Sequence, residues 1–221
     1  MLQFLRIYDD IKIIIVMTIA LLIVLLVSFG LRGFFKALMA YKCGDSTAKQ
    51  LGRLTLNPFK HINPLGFACC LLFGFGWAEP VPINPLQFRN YKKGIALTSL
   101  STIIVHFALA FIGGGLVHLF YIFEANLVEA NYYVAYFIYG LCYFLFIINL
   151  SLTVFNLLPI PPLECYNIIK ALSSYENNFI RFMDRYGTII LLVILIAFDW
   201  ILVRLIQLIA IPIELFWGLL F

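Results

Sequence analysis

The sequence predicts an all-α polytopic membrane protein, on three observations. Hydrophobic residues make up 63% of the 221 and charged residues 12%, with a mean hydropathy of +1.01, values far from those of a soluble domain. Apolar runs long enough to cross a bilayer recur along the chain. Lysine and arginine concentrate in one of the segments between them, as a membrane topology requires. The net charge of +4 follows that topology rather than forming a nucleic-acid patch. The lipid bilayer is therefore the first partner, and no nucleic-acid partner is expected. Five cysteines (Cys43, Cys69, Cys70, Cys142, Cys165) form no C-x-x-C pair and lie mostly among apolar residues, which fits buried thiols and not a disulfide framework.

Taken in order, the stub Met1 to Asp10 carries little orienting charge, with Arg6 and Lys12 balanced by Asp9 and Asp10. A helix from Ile11 to about Ala40 comes first. Its apolar part, Ile11 to Leu31, would be roughly 31 Å long at the helical rise, enough to span. It is too long for a signal peptide and is followed by no small-residue cleavage site. Arg32 and Lys36 then enter the same helix four residues apart, so they share a face. With Phe34, Phe35, Leu38 and Met39 around them, they sit at the edge of the hydrocarbon. Two readings follow: both cations snorkel to headgroups, or they find a partner in protein or a water-filled cavity.

From Arg32 to Lys93 the chain has nine basic residues (Arg32, Lys36, Lys42, Lys49, Arg53, Lys60, Arg89, Lys92, Lys93) against Asp45 and Glu79. The positive-inside rule makes the 32–94 segment cytoplasmic. Within it Pro64 to Trp77 is apolar but too short to span, and Gly66, Gly74 and Gly76 interrupt it. That pattern predicts a re-entrant or interfacial hairpin.

Ile95 to Phe123, with His106, His118 and Gly113-Gly114-Gly115, reads as the second span. Glu124 to Asn131 has two glutamates and no cation, and reads as an external loop. Tyr132 to Leu158 reads as the third span, with Asn149, Ser151 and Thr153 placed to hydrogen-bond neighbouring helices. It ends in Pro159-Ile160-Pro161-Pro162, which forbids regular helix and predicts an extended turn. Such backbone is tolerated at membrane depth only against protein or a cavity. Asn167 to Tyr186 reads as a cytoplasmic connector. The region from Gly187 onward, interrupted by Asp199, Arg204 and Pro212, holds at least one span. About four spans result, in a single domain over 1–221.

The charged end of the first helix and the proline-rich end of the third fall on the same side, and Glu164 follows the prolines directly. A carboxylate and two cations can neutralise one another there.

These residues carry a resemblance. Gly44-Asp45-Ser46-Thr47-Ala48-Lys49, Gly52-Arg53-Leu54-Thr55-Leu56-Asn57-Pro58, His61-Ile62-Asn63-Pro64, Gly76-Trp77-Ala78-Glu79-Pro80-Val81-Pro82-Ile83-Asn84-Pro85 and Phe155-Asn156-Leu157-Leu158-Pro159-Ile160-Pro161-Pro162-Leu163 resemble, in order from about Phe29 to Leu172, the bacterial site-2 protease family of intramembrane zinc metalloproteases. The resemblance implies a core of about four transmembrane helices around a zinc site near the cytoplasmic face. It implies membrane-protein segments as substrates and, by the match to compact bacterial members, the bacterial plasma membrane.

In that family H-E-x-x-H supplies two zinc ligands on one helix face and a general base. Counted back from Gly44-Asp45, it falls on Arg32-Gly33-Phe34-Phe35-Lys36. The family's aspartate ligand falls on Glu164, in Leu163-Glu164-Cys165. Its A-G-P-x-x-N stretch falls on Ser101-Thr102-Ile103-Ile104-Val105-His106. Each chemical position has changed. A guanidinium does not ligate zinc, and lysine would have to lose its proton beside a dication.

The expectation is thus a pseudoprotease with no catalytic residues and no metal. Arg32, Lys36 and Glu164 would form a charge-compensating cluster, and the partners would be transmembrane clients or an active protease relative. The competing expectation is an active metalloprotease with a relocated site drawn from His61, His106, Glu164 and Cys165. A transporter is the lesser alternative, since no internal repeat supports it.

Overall fold

Asp10 starts the first helix by accepting a hydrogen bond from the Lys12 amide (2.8 Å), an N-cap, and helix α1 then runs unbroken over Ile11–Lys42. The computed structural model describes residues 10–73, 78–173, 177–197 and 199–221. After α1 come a single turn α2 (Thr47–Gln50), α3 (Pro64–Phe73), α4 (Tyr91–Ala130), α5 (Tyr132–Leu157), α6 (Glu164–Leu172), α7 (Asn178–Ala197) and α8 (Asp199–Leu220). Short 3-10 turns sit at Pro58–Lys60 and Pro85–Gln87. Among the described residues, four helices are long and apolar enough to cross a membrane: Ile11–Lys42, Tyr91–Ala130, Tyr132–Leu157 and Trp200–Leu220. The protein is a multi-pass, all-α membrane protein.

Helices α1, α4 and α5 pack on one another as the core, and small residues set how closely they approach. A Cβ on Gly140 of α5 would stand 2.8 Å from the Met17 sulfur of α1, beside fully buried Ala20. The glycine triplet of α4 does the same for two neighbours. A Cβ on Gly113 would stand 2.5 Å from the Phe146 backbone nitrogen of α5. One on Gly115 would stand 2.8 Å from the Trp217 ring of α8. Trp217 fixes α8 there by donating its indole N–H to the Phe111 carbonyl (2.9 Å).

One expectation is corrected. Residues 124–130 are not a loop: α4 continues through them, and Asn131 alone joins it to α5, its side chain capping α5 at the Tyr133 and Val134 amides (3.0 and 3.2 Å). Glu, Ala and Leu favour helix and no Gly or Pro intervenes, so the charges do not mark a helix end. The connector 167–186 is mostly helical, in α6 and the start of α7. Pro212 lies inside α8 and does not end it, as membrane helices permit.

Of the expected hairpin, the described part is α3, ten residues long and too short to span; Gly74, Gly76 and Trp77 lie outside the described residues. Ile62 and Ala78 pair antiparallel across it, so the excursion returns to its start. The proline segment is the expected turn: Leu158 and Leu163 are extended (ψ 133° and 161°) and Pro161–Pro162 is cis. It delivers the chain to α6, whose first residue is Glu164.

Candidate functional site

The site lies where the charged end of α1 meets the first turn of α6. Glu164 is 3% exposed. One of its oxygens, Oε1, accepts from Arg32 Nη2 at 3.2 Å and from Lys36 Nζ at 2.5 Å. The two cationic side chains are 19% and 13% exposed. They therefore turn inward to a shared carboxylate and not outward to headgroups. Their i, i+4 spacing on α1 is what lets both reach one oxygen. The carboxylate is held in turn because α6 is tied down beyond it. Tyr166 donates to Asp184 of α7 (2.7 Å), and Lys170 Nζ binds both oxygens of the same aspartate (2.8 and 2.7 Å). That pair draws the Asp184 carboxyl below the ordinary aspartate range, chiefly through the Lys170 hydrogen bond.

Between Arg32 and Lys36, Gly33 is buried, and what covers it is the His61 imidazole. A Cβ at position 33 would stand 2.1 Å from His61 Nδ1. The polar motifs between α1 and α4 build this lid from below. His61 donates Nε2–H to the Thr55 carbonyl (2.9 Å), its own carbonyl accepts from the Glu79 amide (2.9 Å), and Glu79 accepts from Asn63 (2.9 Å). Arg53 reaches both Glu79 (3.8 Å) and the Lys60 carbonyl. Asp45, fully buried, accepts the Thr47 and Asn84 amides (2.9 and 2.7 Å). Burial pulls the His61 pKa below its ordinary value, and Arg53 and Arg32 add to the effect.

His106 stands on α4, fully buried. Its Nδ1 pairs with Asn149 Oδ1 at 2.9 Å. The Asn149 amide nitrogen is spent on Ser28 and the Leu145 carbonyl, both 2.9 Å. Oδ1 is therefore the acceptor and His106 Nδ1 carries the proton. This Ser28–Asn149–His106 chain joins α1, α5 and α4. Asn149 thus binds across helices as expected, whereas Ser151 and Thr153 bond only carbonyls of their own helix (2.7 and 2.8 Å). Among the described residues, His61 Nδ1 and His106 Nε2 have no hydrogen-bond partner.

Of the candidate residues, the structure brings Arg32, Lys36 and Glu164 together and sets His61 on Gly33. Among the described residues, no three His, Cys, Asp or Glu side chains gather as a metal would need, so His61, His106, Glu164 and Cys165 do not converge on one point. Cys165 is half-buried and its thiol is pushed up by burial, the opposite of what a thiolate ligand wants.

A relative supports the family. The chain is 39% identical over 181 residues to "Putative zinc metalloprotease YwhC" of Bacillus subtilis (strain 168), covering 80% of each chain. This chain belongs to the site-2 protease-like family. No family model and no solved structure matches it. In this site-2 protease-like chain Arg53 and Glu79 help to seat His61, while Asp45 ties the turn after α1 to Asn84. Ser28 was not foreseen from sequence. A serine in an apolar run has no signal of its own, and only Asn149 across the helix gives it a role.

Proposed function

We propose that this is a catalytically inactive site-2 protease-like protein, a pseudoprotease that binds or regulates membrane-protein clients: transmembrane segments or an active protease relative. The carrying observation is that two cations converge on one oxygen of Glu164, at 3.2 and 2.5 Å. These are the residues that the resemblance sets against the two histidine ligands and the aspartate ligand of zinc. Arginine has no lone pair to give a metal, and lysine has none while it holds its proton. Gly33, set against the general base, has no side chain, and the His61 ring fills the space one would enter.

These residues do not fit a zinc ion, and no hydrolytic step is derived through one. What they do is electrostatic. Two fixed cations balance the buried carboxylate and keep α1 and α6 joined, the service a metal gives to a structural site. The helical core and the lid are kept around them, which supports a retained surface for clients within one membrane-embedded domain over 1–221. The basic 32–94 segment orients this end to the cytoplasm by the positive-inside rule, and the bacterial relative favours the plasma membrane of a bacterium.

The test is the zinc content of detergent-purified protein, parent beside the Arg32→His, Lys36→His double variant. The expected result is no stoichiometric zinc in the parent and zinc gained by the variant. Stoichiometric zinc in the parent, or cleavage of a transmembrane reporter by it, overturns the reading.

A further inference from the structure

The outer surface of the lid has a composition that the client-binding reading does not use. Between residues 41 and 93 the only carboxylates are Asp45 and Glu79, one buried and the other half-buried. Every exposed charge on that stretch is therefore a cation, Lys49, Lys60, Arg89 and Lys92 among them. Interleaved with these are large apolar side chains facing outward: Leu56 is 60% exposed, Phe59 75% and Leu86 90%. They lie on irregular loop and 3-10 turns, not on spanning helices. A soluble surface alternates both charge signs and hides its phenylalanines. Cations mixed with exposed aliphatic and aromatic groups are the pattern of a segment lying in a lipid interface.

The depth of the loop is fixed by α1. A Cβ at Gly30 would stand 3.2 Å from the Pro58 side chain, so Pro58 packs against α1 within its apolar run, Ile11 to Leu31. Gly30 lies twelve residues before the end of α1 at Lys42, or about 18 Å along the axis at the helical rise. Phe59, next to Pro58 and three-quarters exposed, is thereby carried to the level where the apolar run of α1 ends and the acyl boundary begins. Lys60 and Lys49 have stems long enough to return their charge to the headgroups. An anionic leaflet attracts each such cation.

We propose that the loop from Leu51 to Lys60, together with the Leu86 turn, is a lipid anchor. Leu56 and Phe59 enter the acyl boundary, and the surrounding cations hold anionic phospholipid headgroups of the same leaflet. This proposal is independent of whether the buried site is catalytic.

The experiment uses the full chain in nanodiscs of phosphatidylcholine, with and without phosphatidylglycerol. A Phe59→Trp variant is read against the parent, whose Trp77, Trp200 and Trp217 give the background. The added emission is expected to be blue-shifted and quenched by 6,7-dibrominated lipid, not by aqueous iodide. Phosphatidylglycerol is expected to raise the apparent Tm of the parent by several degrees, and a Lys49→Gln, Lys60→Gln, Arg89→Gln variant to lose most of that rise. Added Trp emission open to iodide, an equal Tm in both lipids, or the same rise produced by inorganic phosphate in phosphatidylcholine discs each overturn the proposal.

Discussion

The imidazole of His61 rests on the backbone of Gly33, so close that a Cβ there would stand 2.1 Å from Nδ1. The residue with no side chain and the ring that covers it are complementary in shape. Neither can change alone without disturbing α1 or the lid.

Gly33→Ala should therefore destabilise the protein, although alanine is the better helix former by about 1 kcal/mol. Overpacking of a filled site costs about 1–3 kcal/mol, enough to reverse the propensity gain. Thermal unfolding in detergent should show a lower apparent Tm for Gly33→Ala. In a His61→Ala background the same change should be neutral or stabilising. An unchanged Tm for the single variant would mean that the ring is not held against α1.

Glu164 is where one loss exposes two charges. Glu164→Gln leaves Arg32 and Lys36, 19% and 13% exposed, without their counter-ion, and removal of one partner from a buried pair costs roughly 3–5 kcal/mol. Replacing all three together by apolar residues (Arg32→Leu, Lys36→Met, Glu164→Leu) should be near neutral or stabilising, because the desolvation cost goes with the charges. Equal stability of Glu164→Gln and the parent would sink the ion-pair account.

Burial holds the His61 pKa below the ordinary histidine value of 6.5, which fixes the sign of its pH effect. The unfolded chain takes up the proton first as pH falls. The stability from neutral His61 is thus complete above about pH 6.5 and is lost as pH drops through the window between that value and the lower folded pKa. An apparent Tm that falls on acidification below 6.5 is expected for the parent. His61→Gln should flatten the slope in that window. A parent Tm that rises there would show that the proton binds the folded protein.

The resemblance is legible because its motifs are local, and so are Arg32, Lys36 and Glu164 as candidates. Each is a charge set in apolar sequence, and their pairing follows from two chain ends falling on one side. What sequence does not carry is the register between distant segments. Nothing in His61-Ile62-Asn63-Pro64 says that its first ring will lie on Gly33, because that depends on Glu79, Arg53 and Thr55 closing the lid around it. The helix boundary at 124–131 is hidden in the sequence for a simpler reason. Charge marks where a helix meets water, while the helix itself ends only where Asn131 caps the next one.

The three polar residues Asn149, Ser151 and Thr153 of α5 look alike in sequence and differ in what they hold. Asn149 joins Ser28 on α1 to His106 on α4, so Asn149→Leu breaks two inter-helix bonds and strands the His106 N–H. A buried donor left unpaired costs about 1–3 kcal/mol, whereas inter-helix hydrogen bonds in membranes average about 0.6 kcal/mol each. The loss should fall near the upper part of that range, because the stranded group has no water to turn to. Ser151 bonds only the Ile147 carbonyl of its own helix, which already has its backbone partner, so Ser151→Ala should leave the apparent Tm within a degree or so of the parent. Measured side by side in the same detergent, a large drop for Asn149→Leu and none for Ser151→Ala would identify the Ser28–Asn149–His106 chain as a clamp on the core. Equal drops would mean that polarity within α5, and not that chain, is what matters.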